Sequence, residues 1–269
     1  MIKKSDILII DKENGLREWL LMLTQERYRL IIEAVEKNQA VTVEQLVNEI
    51  GASAATIRRD LTALDELGKV KRIRGGAAAV EQEFLTSEDD VDTKYEKNVA
   101  EKKAIAEYAA STIQNDDFIY IDAGTTTELM IDYIEPRRNV TFVTNGIGHA
   151  KKLTHLGFTV HILGGEFKLE TEAIVGEETL IALDKYNFTK GFFGANGVSI
   201  QNGITTPDYR EAVLKKKALS RCKEKYILCD SSKFSKISSV SFADIKKACI
   251  ITDKFDNDKY SKYPNIIKV

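Results

Sequence analysis

A cluster of cationic side chains lies between Ser53 and Ala78, in a chain whose formal net charge is −2. Its members are Arg58, Arg59, Lys69, Lys71, Arg72 and Arg74, and only Asp60, Asp65 and Glu66 oppose them. Guanidinium and ammonium groups concentrated in one short stretch can bind anions, including the phosphates of a nucleic acid. A solvated basic helix face is the alternative that the cluster alone leaves open.

A second candidate site follows an apolar run in the second half of the chain. The stretch FIYIDAGTTTELMIDYI places Gly124, Thr125, Thr126 and Thr127 between a predicted strand and a predicted helix. Amide N–H groups at the start of a helix carry partial positive charge and lack helical acceptors, so this position suits a phosphate. A cluster that only caps the helix is the alternative. The stretch has neither the GK[ST] ending of a P-loop nor a GxGxxG.

Polar residues and glycines follow three further apolar runs. Residues 144–146 (TNG) follow VTFV, residues 164–165 (GG) follow VHIL, and residues 194–197 (GANG) follow FF. Open α/β sheets bind ligands at the carboxyl ends of their strands. Each stretch by itself could be a plain loop, but together with the threonine cluster they predict a ligand pocket.

The cationic cluster is preceded by two predicted helices. From Arg27 onward, apolar residues recur at helical spacing. Thr42 is predicted to cap the second helix, with Gln45 in the capping-box position, and Gly51 to end it.

A third helix and a hairpin carry the cations themselves. Ser53 is predicted to cap this helix and Gly68 to close it. Its inner stripe is predicted to be Ile57, Leu61, Leu64 and Leu67. The stretch KVKRIRGGAAAV then alternates apolar and charged residues around a Gly-Gly pair, which is typical of a short hairpin. Three helices and a hairpin predict a winged helix-turn-helix over residues 25–80. Because the cations fall on the two elements that such a domain presents to DNA, DNA binding is favoured over a basic face.

The hydrophobic pattern changes after residue 80. Residues 81–98 are acidic and without steady periodicity, and we interpret them as a linker with some helix towards its end. In residues 99–269, short apolar or β-branched runs alternate with helical stretches. This pattern predicts a mainly parallel sheet covered on both faces, so the fold class is α/β overall with an N-terminal winged helix-turn-helix.

Composition excludes several other classes of protein. The three cysteines are widely spaced and predict neither a disulfide framework nor a metal site, and the three histidines form no metal-binding motif. No apolar run is long enough to cross a bilayer, and the first residues lack the features of a signal peptide. We expect a cytoplasmic protein with reduced thiols, no cofactor, no metal and no membrane partner.

From about residue 22 to residue 80, the chain resembles the DeoR family of bacterial transcription regulators. The resemblance lies in Arg27, Ile31 and Val35 together with the stretch SAATIRRDL that begins at Ser53, and KRIRGGA resembles the family's wing. It implies operator double-stranded DNA as partner. The DNA-contacting residues are then expected to be Ser53, Ala55, Thr56, Arg58, Arg59, Lys71, Arg72 and Arg74. Family members commonly begin with a stretch like MLTQERYRLII, which starts at Met22, so residues 1–21 are expected to be an upstream extension or a misassigned start, with a genuine accessory strand or helix as the alternative. With the winged helix-turn-helix beginning at residue 25, residues 1–24 are expected to be the N-terminal extension.

The second half resembles the effector domain of the same family, which is similar in fold to ribose-5-phosphate isomerase. This resemblance implies a phosphorylated sugar anchored at Asp122, Gly124, Thr125, Thr126 and Thr127. The family positions that complete the pocket are Asn145, Gly165, Lys168, Glu211, Lys215 and Lys233. For the charged members, structural roles remain open, since Glu211 and Lys215 have the spacing of a surface ion pair and Lys233 can pair locally.

A working sugar-phosphate isomerase is the rival from another class. Isomerisation needs a carboxylate base, but where the isomerases carry a DGAD-like stretch this chain has Phe193, Gly194, Ala195 and Asn196. We therefore expect binding without turnover. A protein-interaction module without a ligand is a third reading.

Several motifs of the second half look especially like fructose-operon repressors. That subgroup implies fructose 1-phosphate as effector, with another phosphosugar such as tagatose 6-phosphate as the alternative. Because symmetric operators call for symmetric proteins, we expect a homo-oligomer, a dimer or a tetramer.

Overall fold

The computed structural model describes residues 12–38, 40–79, 83–85, 89–135, 139–255 and 258–269. The chain divides between Glu81 and Gln82 into two compact units. Of the predicted N-terminal extension, residues 1–11 lie outside the described residues, and residues 12–24 belong to a helix that continues to Asn38.

The first unit contains three helices and a small antiparallel sheet. Its elements are α1 (Lys12–Asn38), β1 (Ala40–Thr42), α2 (Val43–Ile50), α3 (Ala54–Glu66), β2 (Lys71–Ile73) and β3 (Gly76–Ala78), with the strands in the order β1-β3-β2. Apolar side chains from all three helices form one core that includes Ile31, Leu46, Ile57 and Leu61. The predicted winged helix-turn-helix is therefore confirmed.

The predicted helix caps are present. The Thr42 hydroxyl accepts a hydrogen bond from the Gln45 amide while the Gln45 side chain accepts one from the Thr42 amide, which completes the capping box. Gly51 ends α2 in the left-handed conformation. These local bonds fix where α2 starts and stops, and thus where the turn before α3 begins.

One residue of the predicted inner stripe of α3 was assigned wrongly. Ile57, Leu61 and Leu64 are buried, but 61% of Leu67 is exposed. The helix ends at Glu66, and the chain then turns at Gly68, which has a φ of 64°. The helical period that would carry Leu67 to the inner face therefore stops just before it.

The hairpin after α3 depends on a close approach of two strands. In β3, a Cβ atom at Gly76 would lie 2.0 Å from the carbonyl oxygen of Val41 in β1. Only glycine fits there, which explains the second residue of the Gly-Gly pair.

The second unit is built on a parallel sheet. Its elements in chain order are β4 (Glu83–Leu85), α4 (Val91–Glu96), α5 (Val99–Ser111), β5 (Phe118–Ile121), α6 (Thr125–Met130), β6 (Thr141–Thr144), α7 (Ile147–His155), β7 (Thr159–Ile162), β8 (Glu166–Lys168), β9 (Ala173–Val175), α8 (Glu177–Leu183), β10 (Phe188–Gly194), β11 (Gly197–Ser199), β12 (Gly203–Thr206), α9 (Tyr209–Ser220), β13 (Cys222–Leu228), β14 (Lys236–Ser238), β15 (Val240–Ala243), β16 (Cys249–Thr252), α10 (Asp258–Ser261) and β17 (Ile266–Lys268).

Seven of these strands form the main sheet, in the order β17-β16-β13-β10-β5-β6-β7, and all six pairings are parallel. Small sheets β11-β12-β15, β4-β14 and β8-β9 complete the unit. The strand order runs outward in one direction from β5 and in the other from β10, so the topological switch lies between these two strands. Such a switch opens a crevice at the carboxyl ends of the strands.

Both faces of the main sheet are buried. Along β5, Ile119 and Ile121 belong to one apolar cluster, whereas Tyr120 between them belongs to another. Phe192 and Phe193 of β10 divide in the same way. Since side chains alternate between faces along a strand, the two clusters lie on opposite sides of the sheet. This double burial is the physical reason for the continuous apolar runs in the sequence.

The segment interpreted as a linker contains two elements that belong to the second unit. β4 pairs in parallel with β14, and α4 follows it. Residues 81–82 and 86–88 of the segment lie outside the described residues. Within the described ranges, none of the helices has the length and apolar character needed to cross a bilayer.

Candidate functional sites: a cationic surface and a polar cleft

The outer face of α3 carries two arginines. Arg58 and Arg59 are exposed, whereas Ile57 between Thr56 and Arg58 is fully buried. Ala55 is also exposed, and Thr56 is half-buried. The helix therefore holds its apolar stripe to its own unit and leaves the guanidinium groups accessible.

Two of the predicted contact residues at the start of α3 also form its cap. The Ser53 hydroxyl accepts a hydrogen bond from the Thr56 amide at 3.2 Å, and the two hydroxyl oxygens lie 2.9 Å apart. Ser53 and Thr56 therefore stabilise the first turn, which is the turn nearest the exposed arginines.

The cations of the hairpin are exposed, and one of them also binds α3. Lys71, Arg72 and Arg74 all face solvent. The Arg72 backbone amide donates to the Asp65 carboxylate at 2.8 Å, and its Nη1 donates to the Thr62 hydroxyl at 2.9 Å. Arg72 thus joins the wing to α3, which the sequence analysis did not foresee. The polar spacing of Thr62 and Asp65 on the outer face of α3 is the signal that could have shown it.

A salt bridge fixes α3 against α1. The Arg27 guanidinium donates to both carboxylate oxygens of Asp60, at 2.7 and 3.1 Å, and Asp60 is buried. A bidentate pair fixes the rotation of α3 about its own axis and hence the face that carries the arginines. This geometry gives a structural reason for the presence of Arg27 and Asp60 in the family resemblance.

The second unit has a cleft at the topological switch of its sheet. The carboxyl ends of β5, β10 and β13 contribute residues 123–126, 194–196 and 228–230. α5 and α9 contribute Lys102 and Lys215. The predicted pocket at the strand ends is therefore present as a cleft of the structure.

Six of the eleven predicted pocket residues line this cleft. They are Gly124, Thr125, Thr126, Glu211, Lys215 and Lys233. The other five, Asp122, Thr127, Asn145, Gly165 and Lys168, are not among the residues that line it.

Asp122 lies beneath the cleft, paired with Lys215. It is fully buried, its carboxylate forms an ion pair with the Lys215 ammonium, and it also accepts from the Gly194 amide at 3.3 Å. Burial raises the pKa of Asp122, and the neighbouring Lys215 partly offsets that rise. The spacing of Glu211 and Lys215 had left a surface ion pair open, but both residues are buried. Lys215 forms its ion pair with Asp122, and its charge also acts on the nearby Glu211 carboxylate.

Thr127 and Asn145 stabilise the loop that forms the cleft floor. The Thr127 hydroxyl lies 2.7 Å from the Asp122 carbonyl oxygen and 2.8 Å from that of Gly124. The Asn145 amide oxygen accepts from the Ala123 amide at 3.0 Å and from the Tyr120 hydroxyl at 3.1 Å. Both side chains thus use their hydrogen-bonding groups on the protein itself.

Gly165 serves close packing. Its φ is 148°, and a Cβ atom there would lie 2.2 Å from the Thr179 hydroxyl oxygen and 2.6 Å from the Val175 carbonyl oxygen. A side chain at this position would displace the start of α8, so the glycine is required by the fold.

Lys168 orients a carboxylate of the cleft. Its ammonium lies 2.8 Å from Glu211 and 3.2 Å from Asp208, and the Thr171 hydroxyl donates to the same Glu211 oxygen at 2.7 Å. Burial raises the pKa of Glu211, but Lys215, Lys168 and Thr171 outweigh burial, so the pKa is lowered overall. Glu211 therefore presents an ionised carboxylate to the cleft.

The structure adds cleft residues that the sequence analysis missed. Among them are Lys94, Lys102, Thr171 and Asp230. The Lys102 ammonium donates to the Thr125 hydroxyl at 3.1 Å. Asp230 is buried and accepts from the Asn98 amide group at 2.9 Å. The sequence of α5 gives no sign that Lys102 differs from its other lysine. Only the structure shows that Lys102 is buried and lines the cleft.

The charges of the cleft favour an anion. Four lysines line it, at positions 94, 102, 215 and 233, against two carboxylates, Glu211 and Asp230. Cations beside hydroxyl donors and a helix start suit a phosphate, while carboxylates accept from hydroxyl groups. Within the described part of the chain, no group of three or more metal-ligating side chains is arranged to hold an ion.

A comparison with known protein families identifies the same two parts of the chain. Residues 27–83 match the DeoR-like helix-turn-helix domain, and residues 97–254 match the DeoR C terminal sensor domain. The first match covers the cationic surface, and the second contains most of the residues that line the cleft.

Relatives match nearly the whole chain. The uncharacterized HTH-type transcriptional regulator FruR of Bacillus subtilis strain 168 is 44% identical over 250 residues, which are 92% of this chain and 99% of that protein. The lactose phosphotransferase system repressor of Streptococcus mutans is 37% identical over 253 residues, which are 91% and 100% of the two chains.

Similarity to solved structures is lower. Ribose 5-phosphate isomerase A of Methanocaldococcus jannaschii matches with a TM-score of 0.40 and 17% identity, over 51% of this chain and 55% of that one. The assignment therefore depends on the domain matches and the full-length relatives. By these, the chain belongs to the DeoR family of DNA-binding transcriptional regulators.

Proposed function

We propose that the protein represses a sugar-utilisation operon and that a phosphorylated sugar, bound in the cleft of the second unit, releases it from operator DNA. The observation that carries the proposal is the cleft itself, where four lysines gather at the carboxyl ends of β5, β10 and β13. The names of the relatives support a sugar operon, since one is a lactose phosphotransferase system repressor and another is called FruR.

Different residues of the cleft lining suit the phosphate and the sugar of a phosphosugar. The start of α6 at Thr125 and Thr126, with Lys102 beside it, provides N–H and O–H donors for a phosphate. Glu211 and Asp230 provide acceptors for the hydroxyl groups of a sugar. An unphosphorylated sugar lacks the negative charge that the lysines of the lining would attract.

Fructose 1-phosphate is the effector that we propose. The 44% identity to FruR supports the fructose subgroup. Tagatose 6-phosphate is the alternative, supported by the similarity to lactose phosphotransferase system repressors.

We further propose that the cleft binds its ligand without converting it. Phe193 is fully buried in the core, and the neighbouring cleft residue Asn196 accepts a hydrogen bond from the Thr206 hydroxyl at 3.2 Å. Neither side chain can act as a carboxylate base. Of the cleft carboxylates, Glu211 is held by Lys168 and Thr171, which lowers its readiness to take a proton.

On the DNA side, we propose that α3 enters the major groove with Arg58 and Arg59 and that Lys71, Arg72 and Arg74 contact the adjacent backbone. The exposure of all five side chains supports this arrangement. A homo-oligomer in the cytoplasm, a dimer or a tetramer, would place two such helices on the half-sites of a symmetric operator.

The test is a gel-shift titration with a DNA fragment from upstream of the gene for this protein or of adjacent sugar-transport genes. We expect a shifted band that fructose 1-phosphate releases, and that fructose, used at the same concentrations as the matched control, leaves in place. Release by tagatose 6-phosphate but not by fructose 1-phosphate would show that tagatose 6-phosphate is the effector. Release by neither, with no binding of either sugar phosphate in isothermal titration, would refute the sensing proposal. Conversion of the sugar phosphate over many turnovers would refute the proposed absence of catalysis.

A further inference from the structure

The short helix α4 forms part of the cleft wall. Val91 and Lys94 line the cleft, and Tyr95 on the same helix lies beside α6. The Asp90 side chain caps the helix by accepting from the Thr93 amide at 2.8 Å. α4, which lies in the segment interpreted as a linker, is therefore part of the cleft wall.

Lys102 connects α4 to the floor of the cleft. Its ammonium donates to the backbone carbonyl of Lys94 in α4 and to the Thr125 hydroxyl at the start of α6. An ammonium group has three N–H donors, of which these two contacts use two. Lys102 can therefore hold α4 and contact a ligand oxygen at the same time.

Two further residues, Asn98 and Tyr95, anchor α4 to neighbouring elements of the second unit. Asn98, which joins α4 to α5, adopts the left-handed conformation with a φ of 53° and donates to Asp230 at 2.9 Å and to the Ser232 hydroxyl at 3.2 Å. The Tyr95 hydroxyl donates to the Glu128 carboxylate of α6. Asparagine tolerates this backbone conformation better than most residues, which suits a turn that must hold its shape.

We propose that α4 is a ligand-responsive wall of the cleft: Lys94 contacts the bound phosphosugar, and Lys102, Tyr95 and Asn98 are positioning residues that hold α4 against it. This inference rests on the proposed function, because its ligand is the sugar phosphate proposed there. An anion that touches Lys94 only while α4 is docked favours the docked position through its differential affinity. Residues 82–90, which include β4, join α4 to the first unit along the chain. The position of α4 is therefore a variable through which the cleft can act on DNA binding.

Hydrogen exchange measures the docking of α4 directly. We expect fructose 1-phosphate, or tagatose 6-phosphate if that is the ligand, to slow amide exchange in residues 91–97 of the full-length protein. Peptides from α8, which has no residue in the cleft lining, serve as the internal reference and should keep their rate. Fructose should change neither region.

A matched pair of tyrosine variants tests the anchor. Tyr95→Phe removes the hydroxyl that binds Glu128 but leaves the main cleft lining intact. We expect about a fivefold rise in the sugar phosphate concentration that half-releases the operator, the effect of one lost hydrogen bond. Tyr108→Phe in α5 makes the same chemical change at another partly exposed tyrosine outside the cleft lining, and should leave this concentration unchanged.

A matched pair of lysine variants tests the ligand contact. We expect Lys94→Gln to weaken sugar phosphate binding about tenfold in isothermal titration, within the range for one charge-assisted hydrogen bond. Lys103→Gln removes the same charge from an exposed position next to Lys102 and should have no effect.

The outcomes separate this inference from the proposed function. No binding of either sugar phosphate would overturn both. Binding with unchanged exchange in residues 91–97, or equal behaviour of Tyr95→Phe and Tyr108→Phe, would overturn the role of α4 and leave the sensing function standing.

Discussion

The Lys215 ammonium and the Asp122 carboxylate form a buried ion pair directly beneath the cleft of the second unit. Lys215 also lines the cleft, so its charge is shared between the core and the site. We expect Asp122→Asn to lower the free energy of unfolding of the second unit by about 3 kcal/mol, because it leaves a buried charge without its partner. Urea titration followed by circular dichroism measures this loss.

The surface pair of Lys152 and Asp132, 2.7 Å apart, provides the control. Asp132→Asn should cost less than about 1 kcal/mol, since both partners are partly exposed to solvent. The double variant Asp122→Asn with Lys215→Met should recover part of the loss. Equal effects of Asp122→Asn and Asp132→Asn would contradict the assigned importance of the buried pair.

Substitution of the α3 arginines and substitution of the hairpin lysine should affect operator binding in different ways. We expect Arg58→Ala or Arg59→Ala to weaken operator binding by about 1–3 kcal/mol and to affect nonspecific DNA less. Lys71→Ala should weaken binding to all DNA similarly and flatten its salt dependence. Fluorescence anisotropy at several salt concentrations distinguishes the two patterns.

Lys37→Ala, at an exposed position near the end of α1, is the control for loss of one positive charge from the same unit. It should leave the affinity for operator DNA and the salt dependence of binding unchanged. Arg72→Ala is less informative, because Arg72 also bonds Thr62 and its loss loosens the wing. Wild-type binding by both Arg58→Ala and Arg59→Ala would remove α3 as the reading helix.

Release by the effector should depend on two cleft residues from different walls. We expect the double variant Thr126→Ala with Lys233→Ala to bind operator normally yet to resist sugar phosphate at concentrations that release the wild type. The reason is that both residues line the cleft, and the change removes a hydroxyl donor and a cation from it. A gel-shift titration with each sugar phosphate measures the effect.

The matched double variant is Thr154→Ala with Lys246→Ala, which makes the same two changes at exposed positions outside the cleft lining. It should respond to the effector like the wild type. Normal release of the Thr126→Ala and Lys233→Ala protein would show that the phosphosugar binds elsewhere.

Buried His149 predicts a loss of stability in acid. Burial lowers the pKa of His149 from 6.5 to about 3 in the folded protein. Between these values the unfolded chain binds a proton that the folded protein does not, so the free energy of unfolding falls as the pH falls through this window. Protonation of His149 in the unfolded chain should make the free energy of unfolding about 2 kcal/mol lower at pH 5 than at pH 7.

Urea titrations at pH 7 and pH 5 measure this dependence. Replacing His149 by Gln should reduce the difference between the two pH values, although it lowers stability at both. His155→Gln, at an exposed position on the same helix, should retain the wild-type difference. An unchanged difference in the His149 variant would exclude this histidine as its source.

Short-range interactions that can be recognised in the sequence determined the helix starts and most of the inner face of α3 in the first unit. The capping box of Thr42 and Gln45 and the Ser53 cap are short-range interactions, so the helix starts were predictable. The stripe of Ile57, Leu61 and Leu64 has the period of a helix and becomes the inner face. Leu67 shows where this reasoning stops, because a period cannot say at which residue the backbone leaves the helix.

For the second unit, sequence pattern and resemblance predicted the parallel sheet and a pocket at its strand ends. The tertiary structure alone decided which polar residues line the cleft and which support it. Thr126 faces the cleft and Thr127 bonds the loop behind it, although they are neighbours of the same type. Asp122, Lys168 and Asn145 are support, and Lys102 in α5 becomes a cleft residue. The physical reason is that ion pairs and hydrogen bonds between residues far apart in the chain form only when the sheet brings their strands together, and no local pattern records them.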